Sequence, residues 1–181
     1  MQNKLYRVAV VDKEFFKRIR VNVAELIENS ASIEDTVGTR VLDVAPQDEE
    51  GAKKYYAHAK VETLDIDPGA GATYTIDLCE DNSDTISGET FDVIICTEVL
   101  EHVNNPFNAV KEMHRLLKKR GRIYLSTPYN FRIHGPLPDN WRFTEHGLRV
   151  LFSSFSSINV SPLEDDDRYL MPIHYTATVV K

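Results

Sequence analysis

Between Lys13 and Asn29 the apolar residues Phe15, Phe16, Ile19, Val23, Leu26 and Ile27 recur at intervals of three and four, which gathers them on one side of a helix. The spacing predicts a helix over 13–29 with Asp12 as its N-cap. Ahead of it, Leu5–Val11 reads equally as a strand or as a loose arm, and the polar stretch 30–39, which includes Gly38, reads as a connection.

From Arg40 the pattern changes to short apolar runs set between helical and turn-like segments. Val41–Val44 is a short apolar run suited to a buried parallel strand, and Val61–Ile66, Thr73–Leu78, Phe91–Cys96 and Arg122–Ser126 read as the strands that follow. Asp48, Glu49 and Glu50 precede a segment expected to be helical over 51–59, because acidic groups favour a helix start. Asn105-Pro106 opens another helix, a capping residue followed by proline at the first helical position. That helix is expected to carry Phe107, Val110, Met113, Leu116 and Leu117 inward and to end at Gly121. Lys118, Lys119 and Arg120 would then complement the end of its dipole. Thr144 caps a short helix bearing Leu148, Leu151 and Phe152, and the runs 157–160 and 173–180 complete the strands. The connections 67–72 and 79–90 are short enough that helices there are expected to be reduced to turns.

Strands interleaved with helical patterns define an α/β architecture, an open, mostly parallel sheet with helices on both faces. The division expected is one domain, with 1–39 a helical lead-in and 40–181 the core. In such sheets ligands bind beyond the carboxyl ends of the strands, at the point where the strand order reverses.

Composition adds exclusions rather than chemistry. The chain is 42% hydrophobic and 27% charged, with a formal net charge of −7. That is ordinary for a soluble globular protein, and the negative charge counts against a nucleic-acid partner. No apolar run is long enough to span a membrane, and the first residues do not read as a signal peptide. Cys79 and Cys96 form neither a disulfide framework nor a metal-type pair, and Cys96 sits in the apolar run FDVIIC, so reduced thiols and a cytoplasmic location are expected.

Taken in order, VLDVAPQ, LDIDP, IDL, FDVIICTEVLEHV and NPFNAVKEMHRLLKKRGRIYLSTP resemble the successive motifs of class I S-adenosylmethionine-dependent methyltransferases, over residues 40 to 152. The resemblance implies a Rossmann-like sheet of about seven strands and S-adenosyl-L-methionine as cofactor. Asp65 closes the second strand, where a carboxylate can accept two hydrogen bonds from a ribose diol; the resemblance gives that role to Asp65 rather than Asp67. It places Asp77 at the adenine, with Leu78 offering an apolar edge and a backbone N–H, and puts Thr97 and Glu98 beneath the methionine part. Asp43 supplies the acid of the first motif. The chain departs from the family immediately after it: Ala45, Gln47 and Glu49 stand where glycines normally let the backbone approach the cofactor, and Pro46 removes a donor. The same substitution excludes a nicotinamide dehydrogenase, which needs G-x-G-x-x-G after the first strand.

On the acceptor side, residues 129–143 form a long aromatic segment without periodicity that follows the fifth strand. Tyr129, His134, Asp139 and Trp141 are candidates to touch substrate, and Phe143 is expected to anchor the segment to the core. His134 and His102 are the candidate catalytic residues, since imidazole suits general-base work on a hydroxyl or amine. Three readings follow. The first is methyl transfer to a small-molecule or carrier-linked acceptor, of the glycan or natural-product kind, with a second copy or a carrier completing a shallow cleft. The second is a binding or scaffold domain that has lost catalysis. In the third, Glu98, Glu101 and His102 resemble the metal-binding set of small-RNA 3′-terminal 2′-O-methyltransferases, with Asp139 by spacing at the fourth position and His134 farther off. No metal ligand is assigned on the first reading and no dependence on a divalent ion is expected.

Overall fold

A computed structural model describes residues 10–48 and 50–181. Most of the Leu5–Val11 segment therefore lies outside the described residues. Helix α1 spans Val10–Glu34 and buries Phe15, Ile19, Val23, Ile27, Ser30 and Ala31. Asp12 sits within its first turn rather than capping it. The helix also runs past residue 29 into the stretch expected to be a connection. The reason is that Ser30 faces the core, where its hydroxyl meets the Ile27 carbonyl at 2.7 Å and the Tyr56 hydroxyl at 2.8 Å, so a polar residue carries the buried stripe onward.

Seven strands follow: β1 Arg40–Val44, β2 Lys60–Asp65, β3 Tyr74–Thr75, β4 Phe91–Thr97, β5 Leu117–Pro128, β6 Ser157–Leu163 and β7 His174–Val180. They form one sheet in the order β3-β2-β1-β4-β5-β7-β6. The pairs β1·β2, β1·β4, β2·β3 and β4·β5 are parallel, whereas β7 runs antiparallel to both β5 and β6. One face packs with α1 through Val41, Val93, Ile95, Tyr124 and Ile173. The other packs through Leu42, Ile94, Leu125 and Ala177 against α2, Pro106–Leu116, and α3, Glu145–Leu151. The chain reverses its progress across the sheet between β1 and β4, so their carboxyl ends flank the switch point.

Three expected elements are altered, the first two by side chains that claim backbone N–H groups. The segment 51–59 forms only one 3₁₀ turn, Gly51–Lys54. The Asp43 carboxylate takes the Ala52 N–H at 2.7 Å, and the Asp35 carboxylate takes those of Ala57, His58 and Ala59 at 2.7 to 2.9 Å. Donors held by side chains are lost to a helical ladder. The third strand shrinks to Tyr74–Thr75 because Asp77 turns the chain, its side chain accepting from Cys79 N–H at 2.8 Å.

Helix α2 starts as expected, with Asn105 accepting from Phe107 and Asn108 N–H, but it ends at Leu116 and β5 begins at once. Gly121 lies inside that strand, where an added Cβ would come 2.8 Å from the Asp92 carbonyl oxygen, so close strand packing rather than a helix C-cap explains the glycine. Lys118 accordingly pairs with Asp92 at 2.7 Å instead of a helix end. Phe107, expected inside, is 61% exposed, and Ala109 takes the buried position.

Candidate functional site

The carboxyl ends of β1, β2 and β4 open onto a cavity of about 620 Å³, within the usual range for small-molecule sites. Ala45, Asp65, Asp77, Leu78, Glu98, His102 and His134, all singled out from sequence, line it. Asp65 uses one carboxylate oxygen to accept the Asp67 N–H at 2.9 Å and Asp77 uses one for Cys79. Each keeps its second oxygen without a protein partner among the described residues. Leu78 is buried beside them. These three form an acidic and apolar wall of the cavity.

Asp43 and Thr97 lie beside this cavity. Both line a smaller adjoining cavity of about 80 Å³ and not the main one, and both are buried. Asp43 acts on the loop: it holds Ala52 N–H, and Gly51 (φ +49°) has no room for a Cβ, which would run into the Asp43 carboxylate and the Pro46 ring. Burial pushes the Asp43 carboxyl up to about 6 from an ordinary 3.8, against the opposing hydrogen bond from Ala52. The folded state therefore prefers the protonated acid, and stability falls as pH rises from about 4 through 6. Asp43→Asn keeps the acceptor and removes the charge. Its stability should match wild type near pH 4 and exceed it by about 1–3 kcal/mol above pH 7. Urea unfolding across that range checks this; a constant difference would remove Asp43 as the titrating group.

The degenerate turn has a definite geometry. Ala45 adopts φ +47°, the left-handed region in which glycine is at ease and alanine is strained. Its N–H is spent on the Leu64 carbonyl at 2.7 Å. Pro46 and Gln47 line the cavity beside it, and Glu49 lies outside the described residues.

Glu98 is also left-handed, at φ +56°, and a non-glycine residue so placed at a strand end marks a position fixed by its partners. Those partners are residues not picked out from sequence. Ser126 donates to Glu98 Oε1 at 2.8 Å, and His174 Nε2 lies 2.6 Å from the same oxygen. His174 is fully buried, and its Nδ1 meets Asn22 of α1 at 3.1 Å. Burial would raise the Glu98 carboxyl, but His174 and Ser126 outweigh it and hold Glu98 below the ordinary range.

Helix α1, read from sequence as a lead-in, forms one wall of the cavity with Phe16, Ile19, Arg20 and Val23. Its signal was an apolar arc too wide for one core contact, Phe15 and Phe16 being adjacent. Arg20 rests over the Phe16 ring, 4.7 Å from the centroid, and lines both cavities beside Pro46 and Gln47. Opposite, Phe131 and the run from His134 to Pro138 form a second wall, so the site is more enclosed than the shallow cleft expected.

Of the acceptor-segment candidates, only His134 reaches the cavity. Asp139 is turned inward, bound to Arg142 and to the His134 backbone and ring; the Arg142 guanidinium holds its carboxyl well below the usual range. Trp141 donates its indole N–H to Val103 at 2.8 Å and stacks on Phe143, which is buried as expected. Tyr129 packs against Tyr175. Behind His102 and His134 lies Glu101, fully buried, with neither carboxylate oxygen hydrogen-bonded among the described residues. Burial pushes its carboxyl up to about 7. The nearby Glu101 carboxylate in turn raises His134, against its own burial.

A seven-stranded sheet with an antiparallel β7, and a ligand cavity at the switch point walled by acids at the ends of β2 and β3, define a class I S-adenosylmethionine-dependent methyltransferase fold. The chain belongs to the methyltransferase domain family, whose model matches residues 12–160. The ubiquinone biosynthesis O-methyltransferase of Photobacterium profundum is 31% identical over 122 residues, covering 61% of this chain and 50% of that protein. The counterpart from Pseudomonas aeruginosa is 36% identical over 62 residues, 34% of this chain and 26% of its own length. The chain thus spans half or less of these curated relatives.

Among solved structures, the N-methyltransferase NodS from Bradyrhizobium japonicum superposes with a TM-score of 0.64 at 14% identity, covering 94% of this chain and 98% of that one. The [4+2]-cyclase SpnF gives 0.66 at 13% identity, over 88% and 80%. Such likeness fixes the fold and not the chemistry. Family and fold imply the use of S-adenosylmethionine, and no helix among the described residues is long and apolar enough to cross a membrane.

Proposed function

We propose that this chain binds S-adenosylmethionine in the main cavity and transfers its methyl group to an oxygen of a small-molecule or carrier-linked acceptor. The observation that carries the reading is Asp65, at the end of β2, lining a cavity of suitable size with one carboxylate oxygen uncommitted. The cofactor would supply an activated methyl on a sulfonium, which leaves the protein to position and to exclude water. Asp65 would hold the ribose diol and Asp77 with Leu78 the adenine. Arg20 offers a cation to the carboxylate of the amino-acid tail, in place of N–H groups that glycines would have freed. Glu98 lies near the sulfonium, fixed by Ser126 and His174. His102 and His134 mark the acceptor end. An oxygen acceptor is favoured by the name of the Photobacterium relative, and the net charge of −7 keeps nucleic acid out of the proposal.

Because Ala45 has no free N–H to offer, the adenosine half is expected to carry most of the affinity. Calorimetric titration with S-adenosylhomocysteine and with methylthioadenosine tests this. The expected result is weak binding of both, with the amino-acid tail adding less than about tenfold, or 1.4 kcal/mol. A much larger advantage for S-adenosylhomocysteine would overturn the assignment of the tail. Absence of binding for every ligand would leave a scaffold domain as the function, the reading that the spent Ala45 N–H favours.

A further inference from the structure

Glu101 has no part in the methyl-transfer reading, yet it forms a cluster with His102 and His134. One ligand atom from each lies within 4.8 Å of the others. The carboxylate is fully buried and both of its oxygens lack a hydrogen-bond partner among the described residues, although a buried acceptor left unpaired costs about 1–3 kcal/mol or more when charged. His134 Nε2 stands 3.6 Å from Glu101 Oε1, and His102 Nε2 stands 3.8 Å from it. Both separations are too long for hydrogen bonds, so a proton on either ring does not bridge them.

The far side of each ring is committed. His102 Nδ1 meets the Pro138 carbonyl at 2.8 Å, and a carbonyl only accepts, so this nitrogen carries the proton. His134 Nδ1 meets the Asp139 carboxylate at 3.1 Å, itself pinned by Arg142. With Nδ1 of each ring committed in this way, it is Nε2 of each that faces the buried carboxylate, and a ring carrying its one proton on Nδ1 turns a lone pair toward it. Three acceptors converging on one point repel one another unless a cation sits between them. A histidine whose other nitrogen is held by a carboxylate or a backbone carbonyl is the usual support of a metal ligand. The two nitrogen–carboxylate separations, 3.6 and 3.8 Å, lie close to the value of about 3.4 Å that metal–ligand bonds near 2.1 Å give in a tetrahedron, and a small inward shift of the imidazoles would complete the set.

The geometry points to a divalent first-row metal ion held by Glu101, His102 Nε2 and His134 Nε2. Two nitrogens and one oxygen suit Zn²⁺, Co²⁺ or Mn²⁺ better than Mg²⁺, which prefers all-oxygen surroundings. This set differs from the Glu98, Glu101 and His102 grouping considered from sequence: Glu98 is drawn away to Ser126 and His174, and His134 takes its place. The segment that delivers His134 is clamped to the same residue, since the Asn140 and Trp141 N–H groups both donate to the Glu101 carbonyl, at 2.7 and 3.1 Å. The two imidazoles line the cavity and Glu101 does not, so a further ligand reaches the ion from the cavity side. Resting on the proposed methyl transfer, that ligand would be the acceptor oxygen. Coordination lowers the pKa of a bound hydroxyl, so its proton leaves to solvent, the oxygen attacks the methyl carbon, and the departing sulfur keeps the electron pair of the broken bond.

The test uses untagged full chain stripped with chelator and titrated with Co²⁺, followed by absorbance and calorimetry. The expected result is one equivalent bound, with the visible bands of a four- or five-coordinate ion, and competition by Zn²⁺. Glu101→Gln and His134→Gln should each weaken binding by at least about tenfold, with circular dichroism unchanged. If Glu101→Gln does not fold, His102→Gln at the cavity wall serves in its place. Absence of stoichiometric Co²⁺ binding in the wild type, or equal affinity in the folded variants, would overturn the site. S-adenosylhomocysteine titrated into the same metal-free protein separates the two readings: binding there without Co²⁺ binding removes the ion alone, and the converse removes the methyl-transfer reading alone.

Discussion

Asp65→Ala should weaken S-adenosylhomocysteine binding by roughly 10- to 150-fold, about 1.5–3 kcal/mol, while the thermal midpoint barely moves. The effect is large because a carboxylate accepting from a diol is a charge-assisted pair at the edge of a cavity. The fold is spared because, among the described residues, the Asp65 side chain serves the local Asp67 N–H alone, at an exposed turn. Asp65→Asn should fall between the two, since it keeps the shape and one acceptor but loses the charge. Methylthioadenosine must lose as much as S-adenosylhomocysteine, both having the ribose. If only S-adenosylhomocysteine suffers, Asp65 contacts the amino-acid tail and the proposed orientation of the cofactor is reversed.

Glu98→Ala is expected to have the largest effect on stability, a loss of about 2–3 kcal/mol in urea unfolding. Glu98 Oε1 is the shared partner of Ser126 and of the fully buried His174. Removing it leaves the Nε2 of a fully buried imidazole without its partner and the Ser126 hydroxyl with only the residue-98 N–H, at 3.2 Å. The truncation does not relieve the left-handed backbone either, because alanine is also strained at φ +56°. Glu98→Gln keeps an acceptor oxygen in place and should recover more than half of the loss. Unchanged stability in the alanine variant would show that the Ser126–Glu98–His174 contacts contribute nothing to the fold. The same variant also cuts the link to α1 through Asn22, so hydrogen exchange should rise in that helix before it rises in β4.

What was legible from sequence follows from local chemistry. Runs as apolar as Val41–Val44 and Phe91–Cys96, each broken by a single aspartate, have few alternatives to a buried parallel strand, and Asn105-Pro106 and Thr144 carry their capping geometry in two or three residues. Asp65, Asp77 and Glu98 could be placed on the site because each ends a strand, and strand ends in an open parallel sheet converge. Where the reading failed, a distant group had claimed the backbone. Nothing in residues 51–59 reveals that Asp35 takes three of its N–H groups, and nothing near Gly121 reveals the Asp92 carbonyl against which it packs.

The sequence by itself determined the architecture, the order of the strands' functional ends and the loss of glycines after β1. Only the tertiary structure decided which side chains meet. It turned α1 from a lead-in into a wall of the cavity, assigned His174 to Glu98 across 76 positions of chain, and gave the Asp43 carboxylate a loop to hold beside the main cavity. It also brought His134 to Glu101 and His102 while drawing Glu98 away. The physical reason is common to all of these. Burial leaves polar groups a few partners within about 3 Å, and which partner is available depends on packing between elements far apart in the chain, a distance that periodicity and motif spacing do not encode.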